Sequence, residues 1–194
     1  APPVEHPLNE RTPHPDDPKE RTMSNTIHHR TTLPSPIGTL TIVANADGIV
    51  AIDWEGETAH QAVVGDGEIV DVAADEHPVL TVAVRQLGEY FDGSRTAFDI
   101  PLAPAGTPFQ HQAWEALVRI PFGETVSYGE QADMLGDRNK ARAVGAANGR
   151  NPIPIVIPCH RVVAAGGKLG GFGGGLPLKR KLLDLECSNS PVLG

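Results

Sequence analysis

Hydrophobic residues first take on order at residues 38–44 (Gly-Thr-Leu-Thr-Ile-Val-Ala) and 49–54 (Ile-Val-Ala-Ile-Asp-Trp). These are two β-rich runs separated by Asn45-Ala46-Asp47-Gly48, a turn sequence that predicts a hairpin. The period then changes. Leu80, Val84, Leu87 and Phe91 recur at helical spacing, so residues 78–91 read as a helix with one apolar face. Pro101, Pro104 and Gly106 break the pattern, and 101–106 reads as a linker. Beyond it the helices are short. Thr107-Pro108-Phe109-Gln110 is a capping box with proline at the first helical position, followed by the stripe Phe109, Ala113, Leu117, Ile120 and a stop at Pro121. Ser127-Tyr128-Gly129-Glu130 opens a second helix ending near Gly136, and a third fits 139–148 with Asn139 as its cap. Two short helices joined by a turn make a helix-turn-helix candidate. Pro177 starts a last helix with Leu178, Leu182 and Leu185 inward.

Folded structure is expected from about Ile27, because residues 1–26 are rich in proline and charge and lack periodicity. They read as a disordered or extraneous tail, within which Met23 is a candidate natural start; 187–194 reads as a second tail. The 194 residues, 40% of them hydrophobic, suffice for one large or two small domains. No apolar run is long enough to span a bilayer, and the amino terminus does not read as a signal peptide. Two distant cysteines, Cys159 and Cys187, form neither a disulfide framework nor a zinc module. A reducing, cytoplasmic setting is expected.

Charge modifies this picture through its distribution. The net charge of −8 speaks against a nucleic-acid partner, yet residues 1–103 carry 6 basic and 17 acidic side chains and residues 104–194 carry 10 and 7. From 138 through 181 there are nine Lys or Arg and no Asp or Glu. This asymmetry fits a polyanion-facing half, and equally a solvated basic surface. Arg142 lies in the first turn of the third helix, against the helix dipole, which fits a role outside the fold or an exposed arginine at negligible cost.

The chemistry concentrates at Cys159-His160-Arg161. A thiol needs an imidazole or a cation nearby to become a nucleophile at neutral pH. Pro152, Pro154 and Pro158 predict a stiff, extended segment over 151–158. In a strand, adjacent residues face opposite ways, so His160 can assist Cys159 only if the strand ends there or a water intervenes. Residues 164–175 hold seven glycines, in neither a Walker nor a dinucleotide spacing, which lets the backbone approach a planar ligand. Glu186, in the last turn of the final helix, is placed either to orient a histidine or to be a solvated acid.

Phe109-Gln110, the run Ile120-Pro-Phe-Gly-Glu-Thr-Val-Ser-Tyr128, Ala141-Arg142-Ala143-Val144-Gly145, Asn151-Pro152, Ile157-Pro158-Cys159-His160-Arg161 and residues 173–175 occur in the order and spacing of one family. The chain resembles the methylated-DNA–protein-cysteine methyltransferases, the direct-reversal alkylguanine alkyltransferases, from about residue 27 to 186. That resemblance implies an α+β fold. Residues 27–100 would form a ribonuclease-H-like domain with a small antiparallel sheet and a helix. Residues 107–186 would form a helical, helix-turn-helix or winged-helix-like domain.

It also implies roles. Cys159 would accept the alkyl group irreversibly, once per chain. His160 would be its base through water, Glu186 would orient the imidazole, and Asn151 would hold the active-site turn. Tyr128 would help extrude the nucleotide and donate to the guanine, and Arg142 would fill the vacated stack. Ala141, Ala143 and Ala147 would lie in the minor groove, while Val162, Phe172 and Gly173 would line the base pocket. Phe172 replaces the tyrosine of many relatives and Gly173 a serine of some. No cysteine precedes Cys159, so the zinc site of some relatives has no counterpart, and neither metal nor cofactor is expected. The implied partner is double-stranded DNA containing alkylated guanine, bound by a monomer with no membrane involvement. A non-catalytic winged-helix sensor of alkylated DNA, a cysteine hydrolase and a transcription regulator are the alternatives.

Overall fold

The computed structural model describes residues 26–65 and 67–190. The tail expected over 1–26 therefore lies, apart from Thr26, outside the described residues, as do 191–194.

Strands β1 (Ile27–Leu33), β2 (Leu40–Ala44) and β3 (Ile49–Asp53) form an antiparallel meander, and β4 (Glu68–Asp71) joins β1 in parallel, giving the order β3-β2-β1-β4. The apolar pattern marks β2 and β3 but not β1 or β4. β1 is mostly polar (Ile-His-His-Arg-Thr-Thr-Leu), and β4 is a four-residue edge. Alternation along β2 sends Leu40, Ile42 and Ala44 to one face and Val43 to the other. On the first face lies α2 (Pro78–Phe91), burying Leu80, Ala83, Leu87 and Tyr90. Val84 and Phe91, expected on that stripe, are only half-buried at its rim. On the second, Val64 of α1 (Ala59–Val64) covers Val43, Val50 and Ala51. Each fully buried leucine contributes roughly 1.5–3 kcal/mol.

β3 ends the sheet and yet is buried at every residue. Its open edge is covered from the other half of the chain. Ile49 N donates to Pro101 O (2.9 Å), Ala103 N to Ile49 O (2.8 Å) and Ile52 N to Pro152 O (2.9 Å). The stretch 101–106, which reads as a linker, is thus stitched to β3 at its start. Gly48 permits the approach, since a Cβ there would stand 2.5 Å from Pro101 O.

Beyond it come α3 (Pro108–Val118), β5 (Val126–Ser127), α4 (Tyr128–Met134), α5 (Ala141–Asn148), β6 (Val162–Val163) and α6 (Leu176–Asn189). Both expected capping boxes form: Thr107 accepts from Gln110 N and Ser127 from Glu130 N, and each N3 side chain returns the bond. Asn139 is not a helix cap. Asp137 accepts from Asn139 N and winds Arg138–Lys140 into a 3-10 turn, so α5 begins at Ala141. The angle between α4 and α5 is clasped by a buried amide pair. Gln131 Nε2 donates to Asn148 Oδ1 (3.1 Å) and Asn148 Nδ2 to Gln131 Oε1 (2.7 Å). One hydrophobic cluster runs from Leu40 and Leu80 through Trp114 and Leu117 to Ile153 and Leu182, so the two halves share a core.

Candidate active site

The proline spacing predicts an extended segment over 151–158, but the chain winds into a turn there. Ile157 N donates to Ile153 O at 2.9 Å, and Ile155 adopts φ 73°, a left-handed conformation costly for a β-branched residue. Prolines at 152, 154 and 158 leave few backbone donors. The Asn151 side chain closes the turn instead. Its Oδ1 accepts from Ile153 N (3.0 Å), and its Nδ2 donates to Ile157 O (2.7 Å) and to Cys159 Sγ (3.2 Å). Ile153, Ile155 and Ile157 anchor the turn in the core.

Cys159–Arg161 then forms a 3-10 turn. The strand alternation that would separate Cys159 from His160 does not apply. Three successive side chains fan out from a tight turn, all of them buried. Cys159, 9% exposed, sits where two cavities meet. The larger, about 450 Å³, reaches toward β3 and the loop after it, with Asp53, Trp54 and Glu57 on its far wall. The smaller, about 290 Å³, is lined by Tyr128, Gly145, Asn148 and the glycine-rich stretch 171–173. Phe172 and Gly173 border both. Tyr128 is half-buried, and its hydroxyl donates to Gly171 O at 3.3 Å.

Burial pushes the Cys159 thiol above its ordinary pKa. The Asn151 hydrogen bond, the Lys179 charge and the backbone amides of Cys159 and His160 pull it back. Burial likewise lowers the His160 pKa, opposed by Glu186 and reinforced by the charges of Arg161 and Lys179, so the imidazole is neutral at physiological pH. His160 Nε2 lies 2.7 Å from Glu186 Oε1. Because a carboxylate only accepts, Nε2 carries the hydrogen and Nδ1 the lone pair. Among the described residues Nδ1 has no hydrogen-bond partner. Burial, then the charge of Cys159, raises the Tyr128 pKa, which keeps its hydroxyl a donor.

Glu186 is the hub behind the imidazole. It also accepts from Arg161 Nε (2.9 Å) and Nη2 (3.0 Å), from Gly123 N (3.0 Å) and from the Tyr90 hydroxyl (2.9 Å). Burial alone pushes its carboxyl up, but the hydrogen bonds from His160 and Arg161 with the guanidinium charge outweigh it and hold the pKa at about 2. A solvated acid is excluded, since Glu186 is fully buried.

Cys159, His160, Glu186, Asn151, Tyr128, Phe172 and Gly173 converge around the thiol, while the side chains of Val162 and Ala147 lie in the core beside it. Val162 is fully buried, pairs with Val126 and lines neither cavity at Cys159. Ala147 is 3% exposed and lies with Val144 on the side of α5 that packs against α3 and α4. Arg142 and Ala143 are exposed and Ala141 half-exposed on α5.

Sequence reasoning missed Lys179, whose Nζ donates to Val162 O at 2.6 Å, and Tyr90. For Lys179 the signal was its i+3 and i+7 spacing to Leu182 and Glu186, which places all three on the buried stripe of α6. Of the nine cations between 138 and 181, Arg161 and Lys179 are internal. The other seven are exposed.

Two family models match the chain: the ribonuclease-like domain of 6-O-methylguanine DNA methyltransferase over residues 28–104, and its DNA binding domain over residues 108–188. A methylated-DNA–protein-cysteine methyltransferase of Mycobacterium bovis is 45% identical over 166 residues, which span 86% of this chain and 96% of its own. One from Methanosarcina acetivorans is 43% identical over 155 residues, 79% of this chain and 95% of its own. The crystal structure of Mycobacterium tuberculosis O6-methylguanine methyltransferase aligns with a TM-score of 0.73 at 43% identity, covering 85% of this chain and 96% of that one. The structure of Mycobacterium tuberculosis OGT in complex with DNA aligns with a TM-score of 0.72 at 43% identity, covering 86% and 96%.

Proposed function

The chain belongs to the methylated-DNA–protein-cysteine methyltransferase family, and from that premise we propose that Cys159 takes the alkyl group from the position-6 oxygen of guanine in DNA. The function is direct-reversal DNA repair by alkyl transfer, and the partner is DNA. The observation that carries the assignment of residues is the thiol itself. Cys159 is held by Asn151 at the junction of two cavities, next in sequence to an imidazole whose Nε2 is tied to Glu186.

The lesion is stacked inside the duplex, so its base must be extruded at a cost of a few kcal/mol. The smaller cavity, walled by Tyr128, Phe172 and Gly173, receives it. Arg142, exposed on α5 with Ala141 and Ala143 beside it, fills the gap left in the stack. His160 Nδ1 takes the thiol proton, directly or through one water, because a buried thiol does not ionise unaided. The sulfur then bonds to the alkyl carbon as the carbon–oxygen bond breaks, and that electron pair returns to the guanine ring. A hydrogen bond from the Tyr128 hydroxyl stabilises the departing base, whose ring nitrogen takes up a proton from water while His160 holds the one released by the thiol. The product is a thioether that water in this site does not cleave, so each chain acts once.

The reading takes residues 27–100 and 107–186 as the two working units and places the protein in the cytoplasm as a monomer. No helix among the described residues is long and apolar enough to cross a membrane. Its test is stoichiometry. Duplex carrying O6-methylguanine is added in excess, and restored guanine is quantified after complete digestion to nucleosides. We expect a plateau at one guanine restored per chain. Continued turnover would identify a hydrolase, and binding without restoration a sensor of alkylated DNA.

A further inference from the structure

The reaction with a methyl group needs only the smaller cavity and the sulfur, yet Cys159 also opens into the larger one, about 450 Å³, on the other side. That chamber is built between the halves, and its far wall belongs to β3 and the loop leading into α1. The wall is acidic and aromatic. Asp53 and Glu57 present carboxylates, Trp54 and Phe172 present rings with centroids 6.0 Å apart, and among the described residues no Lys or Arg borders the chamber.

Asp53 is 2% exposed, and one of its oxygens, Oδ2, is committed to His60, accepting from the His60 backbone N–H (2.9 Å) and lying against the ring Nδ1. This bond stands in for the missing cap of α1, since Thr58 makes no capping bond. It fixes the Asp53 carboxyl rigidly at the chamber wall. Glu57 lies at the exposed side of the same chamber. Its pKa is raised first by burial and then by the charge of Asp53, as expected of two carboxylates facing one space. Carboxylates beside aromatic faces, with no competing base, form a receptor for an ammonium group.

We propose that this chamber is a substituent subsite that selects O6-alkylguanines whose alkyl chain ends in a protonated amine. The inference rests on Cys159 being the alkyl acceptor, as argued above. The guanine occupies the Tyr128 side, the reacting carbon meets the sulfur, and the rest of the chain extends past Phe172 toward Glu57 and Asp53. The chemistry is unchanged. The sulfur–carbon bond forms, the carbon–oxygen bond breaks with its electron pair going to guanine, the thiol proton leaves through His160, and the amine keeps its charge throughout. The selection opposes the exposed cations around α5, which would repel an ammonium, so it has to arise inside the chamber.

The test compares three duplexes of one sequence carrying O6-methylguanine, O6-(4-aminobutyl)guanine or the nearly isosteric, uncharged O6-pentylguanine. Single-turnover rates are read from the intact protein mass, for the wild-type chain and for Glu57→Gln, a substitution at an exposed position. The expected result is transfer of aminobutyl about tenfold faster than pentyl in the wild type, with most of that ratio lost in Glu57→Gln. Aminobutyl transferred no faster than pentyl, with methyl transfer intact, overturns the subsite and leaves the proposed function standing. An undiminished ratio in Glu57→Gln also overturns it, placing the selection outside the chamber. Failure of all three duplexes to transfer overturns both readings.

Discussion

Glu186 concentrates more of the site's physics than the cysteine it serves. Its two oxygens take hydrogen bonds from His160, Arg161, Gly123 and Tyr90, and so join the imidazole to a buried guanidinium and to the amino-terminal half. Removing one member of such a buried pair strands the other, at a cost of about 3–5 kcal/mol. Glu186→Gln is expected to lose that much by urea unfolding at neutral pH, and to slow alkyl transfer as His160 loses its orienting partner. The pH dependence follows from the sign of the shift. A carboxyl depressed from 4.5 to about 2 contributes stability that is complete above pH 4.5 and is lost as pH falls toward 2, on the order of 3 kcal/mol. The wild type should therefore lose stability across that window, and Glu186→Gln should not show that component. Parallel curves would remove Glu186 from its role. Cys159 and His160 were legible because each carries a chemical signature, whereas the place of Glu186 in a last helical turn fits a solvated acid as well and was singled out by the family resemblance. Tyr90 was not, because on α2 it reads as one more aromatic in a core.

At the level of elements, the helices were legible where their ends carry local chemistry. Thr107 and Ser127 announce α3 and α4 through capping boxes that close within four residues, and those survive any tertiary context. β1 was invisible because its residues are largely polar, and β4 because it is a four-residue edge whose parallel partner lies far away in sequence. The active-site turn misled for a related reason. Proline spacing describes where backbone donors are missing but not that the Asn151 side chain supplies the bonds that wind 151–158. β3 shows what such non-local pairing achieves, since residues 101–103 and Pro152 complete an edge that the sheet leaves open. A methyl at position 48 would meet Pro101 O at 2.5 Å and push this stitch away. Gly48→Ala should cost about 1–3 kcal/mol in chemical unfolding. A loss below about 0.5 kcal/mol, the range of neutral surface changes, would show that the linker is not held there.

Across the whole molecule, charge and core tell complementary stories. The amino-terminal half carries the acidic excess, and the exposed cations gather from residue 138 on, the distribution that the proposed one-sided approach of DNA calls for. The larger hydrophobic cluster joins the two halves around Cys159, and this explains why the larger cavity is walled by both. Charge asymmetry was legible from residue counts. The shared core was not, because no local pattern says that β3 will pack against the turn at Pro152. The proposed function makes one sulfur the acceptor. The most direct measurement is peptide mapping by mass spectrometry after reaction with a duplex containing O6-methylguanine. The account predicts one methyl in place of one hydrogen, found on the peptide containing Cys159 and absent from Cys187, and no modification in Cys159→Ser. A methyl on any other residue, or guanine restored by Cys159→Ser, would contradict it.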